Sequence, residues 1–140
     1  MALSAKNVGV GDVRTAELVH ELTRSQIVMY AGASGDFNPL HTDEVYATQV
    51  AGFPSVFAHG MLTMGMTGRV LTDWIGDGRL LGFGCRFVRQ VWPGDSLTAT
   101  ATIVGVREET AGPIADFEVV TSNHRGETVL TGTASGRLDR

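Results

Sequence analysis

The chain has 140 residues, of which 43% are hydrophobic and 19% charged, and its formal net charge is −4. These values predict one folded domain over residues 1–140, exclude a disordered chain and disfavour nucleic acid as the main partner. A single cysteine, Cys85, excludes an internal disulfide framework. No apolar run approaches the roughly 18–20 residues of a membrane span, and no signal-peptide pattern opens the chain. We therefore expect a cytoplasmic protein.

The first elements predicted are a strand and a helix. Residues 8–19 form a weak strand pattern interrupted by two glycines. Thr23 and Gln26 have the spacing of a capping box, in which each side chain bonds the other residue's backbone amide. A helix should follow over residues 24–31 and end before Gly32. Its expected buried residues are Ile27, Val28 and Tyr30.

Two further helices are predicted before residue 76. Thr42 is placed to cap a short one, with Asp43 as a favourable charge in its first turn. The longest helical pattern covers residues 59–75 and is apolar on more than one face, which predicts a largely buried helix. Its glycines lower helix propensity, so we expect a sheet or a ligand to approach the backbone there.

The second half of the chain is strand-like. Apolar and small or polar residues alternate along successive segments, beginning with Leu81–Phe87, and turn sequences such as Pro93–Asp95 and Asn123–Gly126 separate the segments. Four turn-linked strands after a buried helix predict an α+β domain, in which an antiparallel sheet curls around that helix. Cys85 falls on a strand face with two phenylalanines and is expected to be inert.

Candidate functional residues cluster between two predicted helices. Asp36, Asn38 and His41 lie within six residues of one another, and Gly35 and Pro39 keep this segment from being regular helix. A carboxylate and an imidazole so placed can share a water, one accepting a proton while the other donates. Two alternatives remain open from the residues alone. Asp-x-Asn-Pro is also a common turn sequence, and a histidine here can be a hydrogen-bonded structural residue.

Two segments together resemble a known family. The stretch Asp36-Phe-Asn-Pro-Leu-His41-x-Asp43, followed by Ala58-His-Gly-Met-Leu62, is similar to the signature of the MaoC-like dehydratases and (R)-specific enoyl-CoA hydratases. The resemblance is closer still to the catalytic subunits of (3R)-hydroxyacyl-ACP dehydratases, and it covers nearly the whole chain. The family has the hot-dog fold, which agrees with the α+β pattern.

The resemblance implies reversible hydration of trans-2-enoyl thioesters to (3R)-hydroxyacyl thioesters. His41 would activate water, Asp36 would share that water and protonate C2, and Asn38 would orient the water or the pair. Protonated Asp36 requires an apolar setting, expected from Phe37 and Leu40. The amide of Gly60, at the start of the long helix, would bind the thioester oxygen. His59 is assigned chiefly to shaping that helix start.

Several expectations concern what binds the chain. The four histidines lack metal-ligand spacing and no phosphate loop is present, so no metal and no cofactor are predicted. The acyl group would arrive on CoA or acyl carrier protein. A homodimer is expected, with a heterodimer of hot-dog subunits as the second possibility. Two alternative functions are a hot-dog acyl-CoA thioesterase and the catalytic subunit of a heteromeric (3R)-hydroxyacyl-ACP dehydratase in fatty-acid elongation. A third, non-enzymatic alternative is an acyl-binding subunit whose partner supplies the chemistry.

Overall fold

The computed structural model describes residues 3–140, so residues 1–2 of the predicted domain lie outside the described residues. Within this part of the chain, a short π-helical segment, Tyr46–Val50, separates the two α-helices. In chain order, the remaining elements are β1 (Val13–Val19), α1 (Arg24–Ser34), α2 (Gly60–Ile75), β2 (Leu80–Phe87), β3 (Leu97–Glu109), β4 (Gly112–Asn123) and β5 (Thr128–Arg137).

The five strands form one antiparallel sheet in the order β1-β3-β4-β5-β2. Helix α2 lies against this sheet and contacts β1, β2, β3 and β5. Leu71 and Ile75 of α2 pack in one buried cluster with Ile103 and Phe117 of the sheet, all of them almost fully buried. Burial of these side chains is worth about 1.5–3 kcal/mol each. The predicted α+β architecture, a sheet curled around one helix, is confirmed.

Helix α1 begins as predicted and ends later. The side chain of Thr23 accepts a hydrogen bond from the Gln26 amide at 3.0 Å, and the Gln26 side chain accepts one from the Thr23 amide at 2.8 Å. The helix passes through Gly32 and ends at Gly35, whose φ of 74° is left-handed. The predicted end at Gly32 is wrong because only Gly35 adopts this terminating conformation. Val28, predicted to be buried, is 52% exposed.

The short helical segment after His41 is capped by Asp43 and not by Thr42. The Asp43 Oδ1 accepts a hydrogen bond from the Tyr46 amide at 3.1 Å, the contact expected of an N-cap side chain. The segment then widens to π winding, in which the Ala51 amide donates to the Tyr46 carbonyl. Asp43 therefore lies at the start of a helical segment, as predicted, although as its cap and not as a first-turn charge.

Helix α2 covers the predicted range, with His59 as its N-cap. The expected close approach to its glycines holds at two positions. A Cβ on Gly60 would lie 2.8 Å from the Phe87 ring, and one on Gly68 would lie 3.5 Å from Phe83. No helix among residues 3–140 is both long and apolar enough to cross a membrane.

Candidate active site

The segment from Asp36 to His41 forms two consecutive side-chain-bonded turns. The Asn38 amide donates to Asp36 Oδ1 at 3.2 Å, and the Leu40 amide donates to Asn38 Oδ1 at 3.0 Å. The interpretation of this sequence as a turn is therefore confirmed. The turn also orients the Asp36 carboxylate. The side-chain oxygen of Asn38 is engaged by the Leu40 amide. A role for Asn38 in orienting water would therefore fall to its side-chain nitrogen, Nδ2, and that role stays a prediction.

His41 is buried, with 9% of its surface exposed, and its ring is held by the backbone. Nδ1 lies 2.6 Å from the carbonyl oxygen of Phe57. Since a carbonyl oxygen only accepts hydrogen bonds, Nδ1 carries the proton in the neutral ring. Nε2 is left with a lone pair that can take a proton from water. The ring of Phe57 meets the imidazole edge-on, with centroids 5.3 Å apart.

Asp36 lies at the mouth of this site. Its carboxylate oxygen and one ring nitrogen each of His41 and His59 lie within 4.8 Å of one another. Two hydrogen bonds to one tetrahedral water span about 4.6 Å, so one water fits between the carboxylate and an imidazole. Asp36 itself is exposed, and Phe37 is 69% exposed. The apolar cover expected from Phe37 is therefore not provided by this chain alone.

His59 contacts both Asp36 and His41, whereas its place in the sequence indicated chiefly a role at the start of the helix. It is 2% exposed, and its Nε2 lies 3.0 Å from the Asp36 carbonyl oxygen. Its ring stacks on that of His41 with centroids 3.8 Å apart and planes inclined by 25°. A sequence signal was available, since histidine is an unusual residue at a helix N-cap. What it contacts becomes apparent only in the folded chain.

The grouping of Asp36, His41 and His59 also has the composition of a metal site. A metal bound by a histidine lies in the plane of the ring, in line with the nitrogen lone pair. The nearly parallel rings of His41 and His59 share no such position close to both nitrogens. The geometry therefore disfavours chelation by both imidazoles, and the absence of a metal stays a prediction.

Gly60 is the first residue of α2 and directly follows His59, whose ring stacks on that of His41. The N-cap His59 provides no side-chain hydrogen bond to the helix, so the amides of the first turn are left for water or a ligand. The Phe87 ring closes over Gly60, and next to them lies a cavity of about 260 Å³, also lined by Thr63, Arg89 and Val129. The cavity borders Gly60 but neither Asp36 nor His41. Of the proposed catalytic residues, Gly60 alone lines this cavity.

Gly60→Ala is expected to lower kcat/KM by about 10²–10³-fold, because the methyl group would obstruct a thioester oxygen at a helix amide. The same methyl would meet the Phe87 ring. The double variant Gly60→Ala/Phe87→Ala separates these effects. It should recover melting temperature but not activity, as measured by thermal unfolding and steady-state kinetics. Recovery of full activity would show that Gly60 serves packing alone. Gly65→Ala is the control, since no neighbour lies within 4 Å of its added Cβ.

Polar contacts connect the start of α1 to residues 44–56, which follow His41 in the chain. The Arg24 guanidinium, at the start of α1, donates to the Glu44 carboxylate and to Ser55 Oγ. Glu44 also accepts a hydrogen bond from the Val56 amide at 3.3 Å. The hydrogen bond from Arg24 and then that from Val56 hold the pKa of the Glu44 carboxyl below its ordinary value. The Glu44 side chain thus joins the two ends of residues 44–56, which we call the clamped segment.

Glu44→Gln is expected to lower the melting temperature by about 1–3 °C at pH 7, a small effect because the pair is exposed. A depressed carboxyl pKa contributes stability above the unfolded-state pKa, and that stability is lost as pH falls through the folded-state pKa. The difference between wild type and variant should therefore shrink as pH falls below the ordinary glutamate pKa of about 4.3 and vanish once the carboxyl is protonated in the folded state. Melting curves from pH 3 to 7 test this. A pH-independent difference would contradict it.

The Asp36–His41–His59 group includes neither Cys85 nor the other two histidines. Cys85 is half-buried on β2, and burial raises the pKa of its thiol, in agreement with an inert residue. His20 is exposed, and His124 accepts a hydrogen bond from the Ser96 amide. Trp74 packs on Phe117 in the core.

The fold and the site together define a class of protein. One antiparallel sheet curled around a helix, with an Asp–His pair at the start of that helix, is a hot-dog domain, as the solved structures also show. An (R)-hydratase from Aeromonas caviae involved in PHA biosynthesis superposes with a TM-score of 0.84 at 29% identity, over 96% of this chain and 99% of that one.

The sequence comparisons identify the family. The model of the MaoC like domain matches residues 6–123. The (R)-specific enoyl-CoA hydratase of Aeromonas caviae is 31% identical over 97% of this chain and 99% of its own length. The 3-hydroxyacyl-thioester dehydratase Y of Mycobacterium tuberculosis is 40% identical over 54% of this chain, but the match spans only 27% of that protein. The chain belongs to the MaoC-like family, and the predicted resemblance and hot-dog fold are confirmed.

Proposed function

We propose that this chain is a hydro-lyase that reversibly hydrates trans-2-enoyl thioesters to (3R)-hydroxyacyl thioesters in fatty-acid metabolism. The observation that carries the proposal is the Asp36 carboxylate within 4.8 Å of the buried imidazoles, at a separation that fits one shared water. Relatives named as (R)-specific enoyl-CoA hydratases and as a 3-hydroxyacyl-thioester dehydratase support it.

The hydration step divides between two side chains. Nε2 of His41 takes a proton from the shared water as the water oxygen bonds to C3 of the enoyl group. The C2–C3 π electrons move toward the thioester carbonyl, which becomes an enolate. Protonated Asp36 then delivers a proton to C2, and the carboxylate is reprotonated from His41 or solvent before the next turnover. Each such acid or base contributes about 10²–10⁴-fold to the rate.

The enolate oxygen requires a hydrogen-bond donor, and we assign the Gly60 amide to this role. It lies at the positive end of α2, where the peptide dipoles favour a developing negative charge. The absence of a side chain at Gly60 lets the carbonyl approach. Donors of this kind are worth about 2.7–4 kcal/mol when removed.

We propose that the active enzyme is a dimer, with a homodimer preferred over a heterodimer. Among the strands of residues 3–140, β2 pairs only with β5 and is one edge of the sheet. Phe37, Met61 and Phe87, each at or next to a proposed site residue, are 69%, 56% and 49% exposed. A second hot-dog subunit covering these side chains would also shield Asp36 from water, which the proton transfer to C2 favours.

The substrate carrier and the acyl length are left open by the site. CoA and acyl carrier protein present the same thioester, and the relatives' names include both enoyl-CoA hydratases and fatty acid synthase subunits. We propose no cofactor, because water addition to an activated double bond needs only an acid, a base and an oxyanion donor. A cytoplasmic location stays a prediction from the sequence.

Loss of enoyl absorbance with crotonyl-CoA and a longer trans-2-enoyl-CoA tests the activity. The expected result is a (3R)-hydroxyacyl product from at least one substrate without release of free thiol. Thiol release from a saturated acyl-CoA would instead identify a thioesterase. Activity only with acyl-carrier-protein substrates would assign the carrier. No hydration with either carrier, for a chain of dimeric mass, would contradict the proposal, whereas a monomeric mass would contradict the dimer.

A further inference from the structure

We propose that His59 is a positioning residue, which holds the backbone of Asp36 so that its carboxylate faces His41. The inference rests on the proposed function for its kinetic test and on the geometry alone for its spectroscopic test. Three observations carry it. They are the unusual identity of the N-cap, the hydrogen bond from its ring to Asp36 and the enclosure of the ring between two aromatic neighbours.

The N-cap position of a long helix normally holds Ser, Thr, Asp or Asn, whose side chain accepts a hydrogen bond from a first-turn amide and stabilises the helix. His59 occupies this position in α2 and makes no such bond. Its side chain points instead to the loop that carries Asp36. The helix therefore has no side-chain cap at this residue, and the His59 ring contacts Asp36 instead.

The hydrogen bond from His59 joins the two halves of the site. Nε2 lies 3.0 Å from the carbonyl oxygen of Asp36, a residue 23 positions away in sequence. Since the carbonyl only accepts, Nε2 carries the proton. The bond fixes the peptide unit that leads from Asp36 into its turn, so it limits rotation of the backbone that bears the carboxylate. A reacting group displaced by about 1 Å can cost 10²-fold in rate.

The ring of His59 is enclosed by other rings. His41 stacks on one side at 3.8 Å, and Tyr30 of α1 meets it edge-on at 4.8 Å. Its Nδ1 is buried with no hydrogen-bond partner among residues 3–140. A proton there would be a buried, unpaired donor, which is costly. The structure thus favours one neutral tautomer, with the proton on Nε2 and directed at Asp36. The titratable groups that face the ring are Asp36, His41 and Tyr30.

Two substitutions separate the donor from the ring. His59→Phe keeps a ring for stacking and removes the N–H, whereas His59→Gln keeps an N–H near the position of Nε2 and removes the ring. We expect His59→Phe to lower kcat by about 10–100-fold with KM changed by less than about 2-fold, because positioning for the chemical step is lost rather than binding. His59→Gln should retain kcat within about 5-fold of wild type. Melting temperature and native mass serve as the controls for folding.

The outcomes are distinct from failure of the proposed function. If His59→Phe matches wild type, or if His59→Gln is no more active than His59→Phe, the positioning role is overturned. Spectra of protein labelled with ¹⁵N-histidine give a readout that needs no activity. In wild type, His59 should carry its proton on Nε2 and His41 on Nδ1. A proton on Nδ1 of His59 would overturn the inference even if the enzyme is active, and a proton on Nε2 would support it even if no thioester is turned over.

Discussion

Asp36→Asn is expected to lower kcat for enoyl hydration by about 10³-fold while leaving the fold intact. The asparagine oxygen can still accept the hydrogen bond from the Asn38 amide, so the turn is preserved. The carboxamide cannot deliver a proton to C2, so the step proposed for Asp36 is lost. Steady-state kinetics with the best enoyl thioester, together with thermal unfolding, measure both parts.

Asp43→Asn is the matched control for this prediction. Asp43 follows in the same stretch and also accepts a backbone amide hydrogen bond, but from Tyr46 at a helix start. Asparagine is as good an N-cap as aspartate, so activity and stability should both stay near wild type. A loss at Asp43 equal to that at Asp36 would indicate a general effect of charge near the site, and the role of Asp36 as an acid would be wrong.

His41→Asn should reduce kcat by about 10³–10⁴-fold, because the imidazole nitrogen proposed to accept the proton of the attacking water would be lost. Asparagine can present an N–H close to the position of Nδ1, so the bond to the Phe57 carbonyl has a substitute donor. Structural loss is thereby limited, and the kinetic effect reports on the base. Measured kcat and melting temperature distinguish the two.

His20→Asn provides the comparison, because the side chain of His20 is 71% exposed and lies outside the group formed by Asp36, His41 and His59. It should change nothing measurable. In the double variant Asp36→Asn/His41→Asn the losses should not add, because the two groups act on one water. Additive losses would show that the two residues do not hold a shared water.

The parts of the fold that local chemistry determines were predictable. The capping box of Thr23 and Gln26 involves residues three apart, so its spacing is visible in the sequence and the start of α1 was placed correctly. The end of α1 was misplaced because Gly32 and Gly35 are equivalent in sequence. Only the structure shows that Gly35 takes the left-handed conformation that ends the helix. Exposure of Val28 likewise depends on what covers α1.

The same division holds in the site. Asp36 and His41 are close in sequence on one turn, so their proximity could be predicted from spacing. The Phe57 carbonyl that sets the His41 tautomer, and the His59 ring that stacks on it, arrive from a distant segment. A backbone carbonyl has no sequence signature at all. These contacts therefore required the folded structure, and they are the ones that give the pair its orientation.

The clamped segment between the two halves of the site has a consequence for how this scaffold can change. The Phe57 amide bonds the Leu40 carbonyl, and Glu44 bonds the Val56 amide, so the segment behaves as a closed loop whose ends are fixed. Doubling the length of such a loop costs only about 0.6 kcal/mol in closure entropy. Insertions near its tip at Gly52 are therefore borne by the loop and not transmitted to the acid and base. We therefore expect the length of the 44–56 segment to vary while the positions of Asp36 and His41 stay the same.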